Sequence, residues 1–287
     1  MRLANVRGRA SLITSETAAV DIASASDGRF GPDLPALYDQ WQEFLAWAPA
    51  ASTVNGTRFD RVDLGPPSPA PRQVFAIGLN YAAHALESGY SLPDAPPVFT
   101  KFPTSIDGPF QDVELPPGGH TDWEVELVVV MGDHTRQVEA ADAWDHVAGV
   151  CVGQDLSERI SQFAGPIPQF SLGKSFPGFS PIGPWLVTLD ELPDPDNLEL
   201  GCRVNGHVRQ TSRTSDLVFS VPRLVEHLSA TLPLLPGDVI FTGTPGGVGL
   251  GMMPQLWLED GDSLTSWIEG VGDIEQTFRS AAFNPRT

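Results

Sequence analysis

The stretch "TDWEVELVVV", Thr121 to Val130, decides the fold, because it joins three carboxylates to the most apolar run in the chain. The valine-rich half reads as a strand that becomes buried on both faces as it continues. Side chains alternate along a strand, so Asp122, Glu124 and Glu126 share one face while Trp123, Val125 and Leu127 share the other. Same-face neighbours lie about 6.5 to 7 Å apart, near enough for two glutamates to converge on one cation. Without a cation they would repel each other and lose solvation; a hard divalent metal relieves both penalties. A solvated strand face is the other reading of the same residues, and the two stand level on this stretch alone.

Further along the chain, "VAGVCVGQD", "WLVTLD", "ELGCRVNG", "DVIFTG" and "DSLTSWIEG" read as strands separated by Gly, Pro, Asp and Asn turns, with one clear helix in "VFSVPRLVEHLSA". That pattern predicts an α+β, strand-dominated sandwich or barrel rather than a doubly wound parallel sheet. On the N-terminal side, "VFAIGL" reads as a buried strand and "NYAAHALES" as a short helix. Before them, short strand-like runs and a helix around "ALYDQWQEFLAWA" precede "LGPPSPAPRQ", which holds neither helix nor sheet for long. The expected division is a small N-terminal α+β domain over 1–70, with its Pro-rich linker, and a second domain over 71–287.

At 287 residues the chain can bury an ample core without staples. Its two cysteines, Cys151 and Cys202, have no disulfide-framework or zinc-type spacing. No continuous apolar segment marks a signal peptide or membrane span, and the expectation is a soluble, cytoplasmic protein. A formal charge of -19 argues against nucleic acid and anionic membranes as partners. A small anionic substrate then needs a local positive site. Only Lys101 and Lys174 are lysines, with arginine carrying the remaining positive charge, so both lysines invite a role; for Lys101, composition bias is an equal explanation.

"TGTPGGVGLG" follows a strand-like run, but its glycines have the wrong spacing for a dinucleotide loop and no helix follows. "LGKSF" lacks the earlier glycine of a phosphate loop, Pro168 standing there, which leaves Lys174 for another role. Asp155, ending an apolar strand, could be a third metal ligand or, with Glu158, a helix N-cap. Arg159 and Gln162, three apart, share a helix face and could stabilise an oxyanion. Asn80, His84 and Glu87 also fall on one helical face; Glu87 could orient His84 to activate water, or both could simply be solvated. His120, His134, His146, His207 and His227 have no comparable partner.

Taken in order, "GLNYAAHALE", "DWEVELVVVMG", "AGVCVGQDLSERISQ", "LGKSF", "VNGHVRQ", "LLPGDVIFTGTPGGVG" and "DGDSLTSWIEGVG" resemble the fumarylacetoacetate hydrolase family from about Phe75 to Gly272. The resemblance implies that family's mixed β-sandwich roll as catalytic domain, a small N-terminal domain and, as is common there, a homodimer. It implies Glu124, Glu126 and Asp155 as ligands of Mg²⁺ or Mn²⁺, and His84, Glu87 and Lys174 as catalytic residues. Arg159, Gln162 and Thr244 are implied as substrate contacts. The segment "QDLSERIS" departs from the family's usual Asn-Asp and Ser-Ala-Arg-Asp; Glu158 and Ile160 flank the arginine, so they are expected to alter the pocket's charge and shape, and Gln154 replaces the asparagine.

The function implied is divalent-metal-dependent hydrolysis of a carbon–carbon bond in a small 1,3-dioxo or acylpyruvate-type acid. The partner would be a small anionic 2-oxo or diketo acid. Rivals that use the same apparatus are decarboxylation of an oxaloacetate-like acid and isomerisation or hydration of an unsaturated 2-oxo acid. A non-catalytic metal-binding protein that retains the fold is the rival from another class.

Overall fold

The computed structural model describes residues 1–51 and 56–281. Strands dominate it, as the patterning predicts. The strand Val125–Met131 is buried at every residue and sits inside a twelve-stranded sheet, paired antiparallel with Val147–Gln154 on one side and Val239–Phe241 on the other. Those neighbours are equally apolar, which is why the whole run loses its alternation. Their close approach requires Gly153, where an added Cβ would stand 2.4 Å from Val128 Cγ2. Val74–Ile77 pairs in parallel with Val239–Phe241 and carries Val98–Thr100 at the sheet edge.

In the other direction Val147–Gln154 pairs with Ser180–Val187, and that strand pairs with the N-terminal Arg2–Val6, followed by Arg9–Ser15 and Ala18–Asp21. Strands on both sides of the Pro-rich stretch thus join one sheet. Helices Leu34–Tyr38 and Trp41–Trp47 place Leu37, Trp41 and Phe44, beside Phe30 from the preceding loop, in the same apolar cluster as Val128, Val130 and Leu186. These two helices replace the single one expected there. The first is capped by Asp33, which accepts from the Ala36 amide, and carries Pro35 in its first turn.

A second sheet has five strands in the order His207–Arg213, Glu199–Val204, Ser263–Ile268, Gly272–Ser280, Asp112–Leu115. The helix Val221–Thr231 turns Val221, Leu224, Val225 and Leu228 into the core that Leu198, Leu200 and Ile274 also enter. No helix of the described residues is long and apolar enough to cross a membrane.

The acidic stretch departs from the continuous strand expected. Thr121–Asp122 forms a separate short pair with Ser157–Glu158, and the ladder resumes only at Val125. The gap is closed by side-chain amides: the Glu124 amide donates to Gln154 Oε1 at 2.8 Å, and the Val125 amide to Gln210 Oε1 at 2.9 Å. Gln154 in turn donates to Ser266 Oγ. Both glutamines are fully buried, so the break leaves no bare backbone donor at these two positions.

Candidate active site

The break lets the acids leave a flat strand face and gather. Glu124, Glu126 and Asp155 are all buried, and each offers a carboxylate oxygen within 4.8 Å of the others. Asp155 follows the strand Val147–Gln154 and is anchored by its own amide on Glu124 O at 2.9 Å. It is not a helix cap. That role belongs to Glu158, which accepts from the Ile160 and Ser161 amides and from the His120 amide.

Three cations meet these acids. Lys174 Nζ donates to Glu124 Oε2 at 2.7 Å and to Asp155 Oδ2 at 2.6 Å. Lys101, fully buried, bonds Asp155 Oδ1 from the opposite side and donates to Phe179 O at 3.1 Å. Arg159 donates through Nη2 to Glu124 Oε1 at 2.7 Å, through Nε and Nη2 to Asp122 Oδ2, and through Nη1 to Gln162 Oε1 at 2.8 Å. Burial opposes every one of these charges, and the neighbours decide the balance. Lys174 is held above its ordinary range by Asp155 and Glu124, Arg159 is raised by Asp122 and Glu124, and Glu124 is held low by Lys174 and Arg159. Lys101 is pushed down, burial outweighing Asp155.

Glu126 is the exception. Its carboxylate accepts one hydrogen bond, from the Gly243 amide at 2.7 Å, and among the described residues no lysine, arginine or histidine pairs with it. Burial first, then the charges of Asp155 and Glu124, push its pKa well above the usual carboxylate range. A buried acid raised by like charges, beside two others, is a place where a cation stabilises the fold. The donor set consists of carboxylate oxygens, which suits Mg²⁺ or Mn²⁺. Each oxygen has two lone-pair sites, so the lysine and arginine bonds leave Glu124 and Asp155 able to coordinate as well.

His84 and Glu87 lie on the short helix Ala82–Glu87, with His84 Nδ1 2.9 Å from Glu87 Oε1. His84, Glu124, Asp155, Arg159, Gln162, Lys174 and Thr244 line one cleft. Asn80 does not share their helix face. It lies before the helix, fully buried, and ties Phe219 to Thr242 O. Thr244 has its hydroxyl engaged, donating to Val125 O and accepting from Gln210 Nε2. Glu158 and Ile160 do not line the cleft: the first caps the helix that carries Arg159, and the second is half exposed. Their expected influence on pocket charge is therefore replaced by a structural one, and Gln154 seals backbone instead.

The sequence marks no chemistry at Asp122 and leaves Lys101 open between a role and composition bias. Asp122 accepts from Arg159 and also from the Trp123, Gly249 and Leu250 amides. The scarcity of lysine was the signal for Lys101; nothing local in the sequence marks Asp122 as the partner of an arginine 37 residues away. The glycine-rich loop also gains an explanation. Its amides at Gly243, Gly247 and Gly249 donate to Glu126, Glu87 and Asp122 respectively, so the glycine-rich loop binds the protein's own carboxylates.

The family profile "Fumarylacetoacetate (FAA) hydrolase C-terminal" matches residues 73–279. A candidate HpcE protein from Mycobacterium smegmatis superposes with a TM-score of 0.94 at 55% identity, covering 98% of this chain and 100% of its own. The 2-hydroxyhepta-2,4-diene-1,7-dioate isomerase of Mycobacterium marinum gives 0.75 at 31% identity, covering 99% and 100%. The maleylpyruvate hydrolase of Sphingobium sp. SYK-6, solved with manganese(II) and pyruvate, gives 0.77 at 29% identity, covering 98% and 100%.

Proposed function

Because this chain belongs to the fumarylacetoacetate hydrolase family, we propose that it hydrolyses a carbon–carbon bond in a small acylpyruvate-type acid with the help of a divalent metal ion. The observation that carries the reading is a cleft lined by Glu124, Asp155, Lys174, Arg159 and His84, with Glu126 completing the buried carboxylate cluster and Glu87 bonded to His84.

Glu124, Glu126 and Asp155 would hold Mg²⁺ or Mn²⁺, which when bound supplies Lewis-acid polarisation of the substrate's oxygens and a template for their placement. Glu87 fixes His84 through Nδ1, leaving Nε2 to take a proton from water. The water oxygen adds to the distal carbonyl of the 1,3-dioxo unit. Lys174, with Arg159 and Gln162 beside it, stabilises the negative charge that develops. The carbon–carbon bond then breaks, releasing a carboxylic acid and the enolate of a 2-oxo acid, which the proton held on His84 quenches. Glu87 is itself steadied by the Gly247 amide at 2.9 Å, so the group that orients the base is held in place.

Isomerisation of an unsaturated 2-oxo acid is the second reading, favoured by the likeness to the M. marinum isomerase. It needs the same stabilised enolate but no attacking water. A parallel assay separates them: an acylpyruvate, an unsaturated 2-oxo acid and oxaloacetate, each with Mg²⁺, Mn²⁺ or EDTA. EDTA-sensitive release of pyruvate and the free acid from the acylpyruvate supports hydrolysis. Turnover of the unsaturated acid alone supports isomerisation, and turnover of oxaloacetate alone makes the protein a decarboxylase.

A further inference from the structure

Two kinds of side chain line the cleft. One is the acids with their cations. The other is an apolar wall of Leu79, Tyr90, Phe99, Phe163, Phe170 and Leu250, with Phe99 packed edge-on against Phe170 at 5.4 Å between ring centres. Tyr90 and Phe163 are 49% and 40% exposed, so this wall presents apolar surface to whatever enters.

Cationic capacity in the cleft is small. Among the described residues, Arg159 and Lys174 are the lysine and arginine side chains that line it. Arg159 commits four of its five N–H groups, two from Nη2, one from Nε and one from Nη1. Lys174 commits two of three, to Glu124 and Asp155, and its ammonium lies 5.3 Å from the centre of the Phe99 ring. One N–H remains on each, beside the Gln162 amide, which suits a single carboxylate. Among the described residues no lysine or arginine beyond Arg159 and Lys174 lines the cleft, so a second carboxylate buried against the apolar side chains would have its desolvation go uncompensated.

Building on the proposed function, we infer that the substrate is a monoanionic 2-oxo acid whose distal arm is an uncharged alkyl or aryl group, not a dicarboxylate. The apolar wall selects that arm, and Phe163 and Tyr90 are its specificity-determining residues.

The test uses the metal-loaded full chain and two kinds of matched pair. Acylpyruvates of equal length, ending in a methyl or in a carboxylate, are compared by kcat/KM. N-alkyl and N-(carboxyalkyl) oxamates, which cannot be cleaved, are compared by calorimetric Kd. The expected result is a preference of about 10-fold or more for the uncharged arm in both pairs, the lower end of what burying a polar group unpaired costs. Phe163→Arg, at the exposed rim, should narrow or reverse that preference through KM and Kd. Equal or better handling of the carboxylate-ended members overturns the inference. A preference among the oxamates without cleavage of any acylpyruvate keeps it and removes the hydrolase reading; binding of neither oxamate and cleavage of neither acylpyruvate overturns both.

Discussion

Replacing Asp122 by asparagine keeps the shape of the side chain and removes its charge, so the effect isolates what the carboxylate does for Arg159. In the native chain Asp122 Oδ2 accepts from Arg159 Nε at 2.9 Å and Nη2 at 2.7 Å, and from the Leu250 amide at 3.0 Å. Oδ1 accepts from the Trp123 and Gly249 amides at 2.8 and 2.6 Å. Asparagine has one acceptor oxygen, so keeping it on the Oδ1 side turns an NH₂ toward the guanidinium and the Leu250 amide, donors against donors. Removing one partner of a buried ion pair costs about 3–5 kcal/mol. Arg159 retains Glu124 at 2.7 Å, which places the expected loss at the low end, about 3 kcal/mol. Urea unfolding monitored by tryptophan fluorescence should show a lower midpoint with an unchanged slope. A loss below about 1 kcal/mol would be that of an exposed pair and would refute the reasoning, because Glu124 alone would then suffice to hold the arginine.

Three other perturbations have defined outcomes. His84→Ala should leave folding and metal-dependent thermal stabilisation intact while lowering turnover by about 10²-fold or more, the scale of a general base; wild-type turnover would remove His84 from the mechanism. Gly249→Ala would place a Cβ 2.0 Å from Leu256 O and 2.8 Å from Asp122 Oδ1, so the melting temperature and the activity should fall together, and a melt matching wild type would show that the loop can shift at little cost. Far from the cleft, Asp21 is lowered from 3.8 to about 2, chiefly by its hydrogen bond from Arg9. A depressed carboxylate stabilises above its unfolded pKa and loses that contribution as pH falls through the folded one. The stability gap between wild type and Asp21→Asn, a substitution that can keep the helix cap, should therefore be full at pH 5 and shrink below about pH 4; a gap independent of pH would contradict the assignment.

What could be read from the sequence was local. The valine run specified a buried strand because neither period-2 alternation nor a helical period survives in it, and the short spacing of Arg159 and Gln162 translates directly into a 2.8 Å hydrogen bond. The Ala82–Glu87 helix likewise brings His84 to Glu87 by spacing alone. What could not be read depends on separation along the chain. Lys101 reaches Asp155 across 54 residues, and Gln210 seals the Val125 amide from 85 residues away. Asp122 looked like the first member of an alternating row, but the ladder breaks after it and aims it at Arg159, because two buried glutamines can satisfy the backbone that the break exposes. The N-terminal strands read as the start of a small unit of their own; the pairing of Arg2 and Leu3 with Val187 and Leu186, across about 185 residues, places them in the main sheet.

The loop from Gly243 to Leu250 makes the chemistry of this cleft indivisible. One short span of backbone holds a candidate metal ligand through Gly243, the orienting partner of the base through Gly247, and the counter-ion of the arginine through Gly249 and Leu250. An insertion that moved the span would disturb all three at once, so inherited variation there should be purged as a unit. The aromatic side chains of Tyr90, Phe163 and Phe170 carry none of those bonds and are free to drift. New substrates can then be acquired by reshaping one rim while the reacting end of the molecule is left untouched.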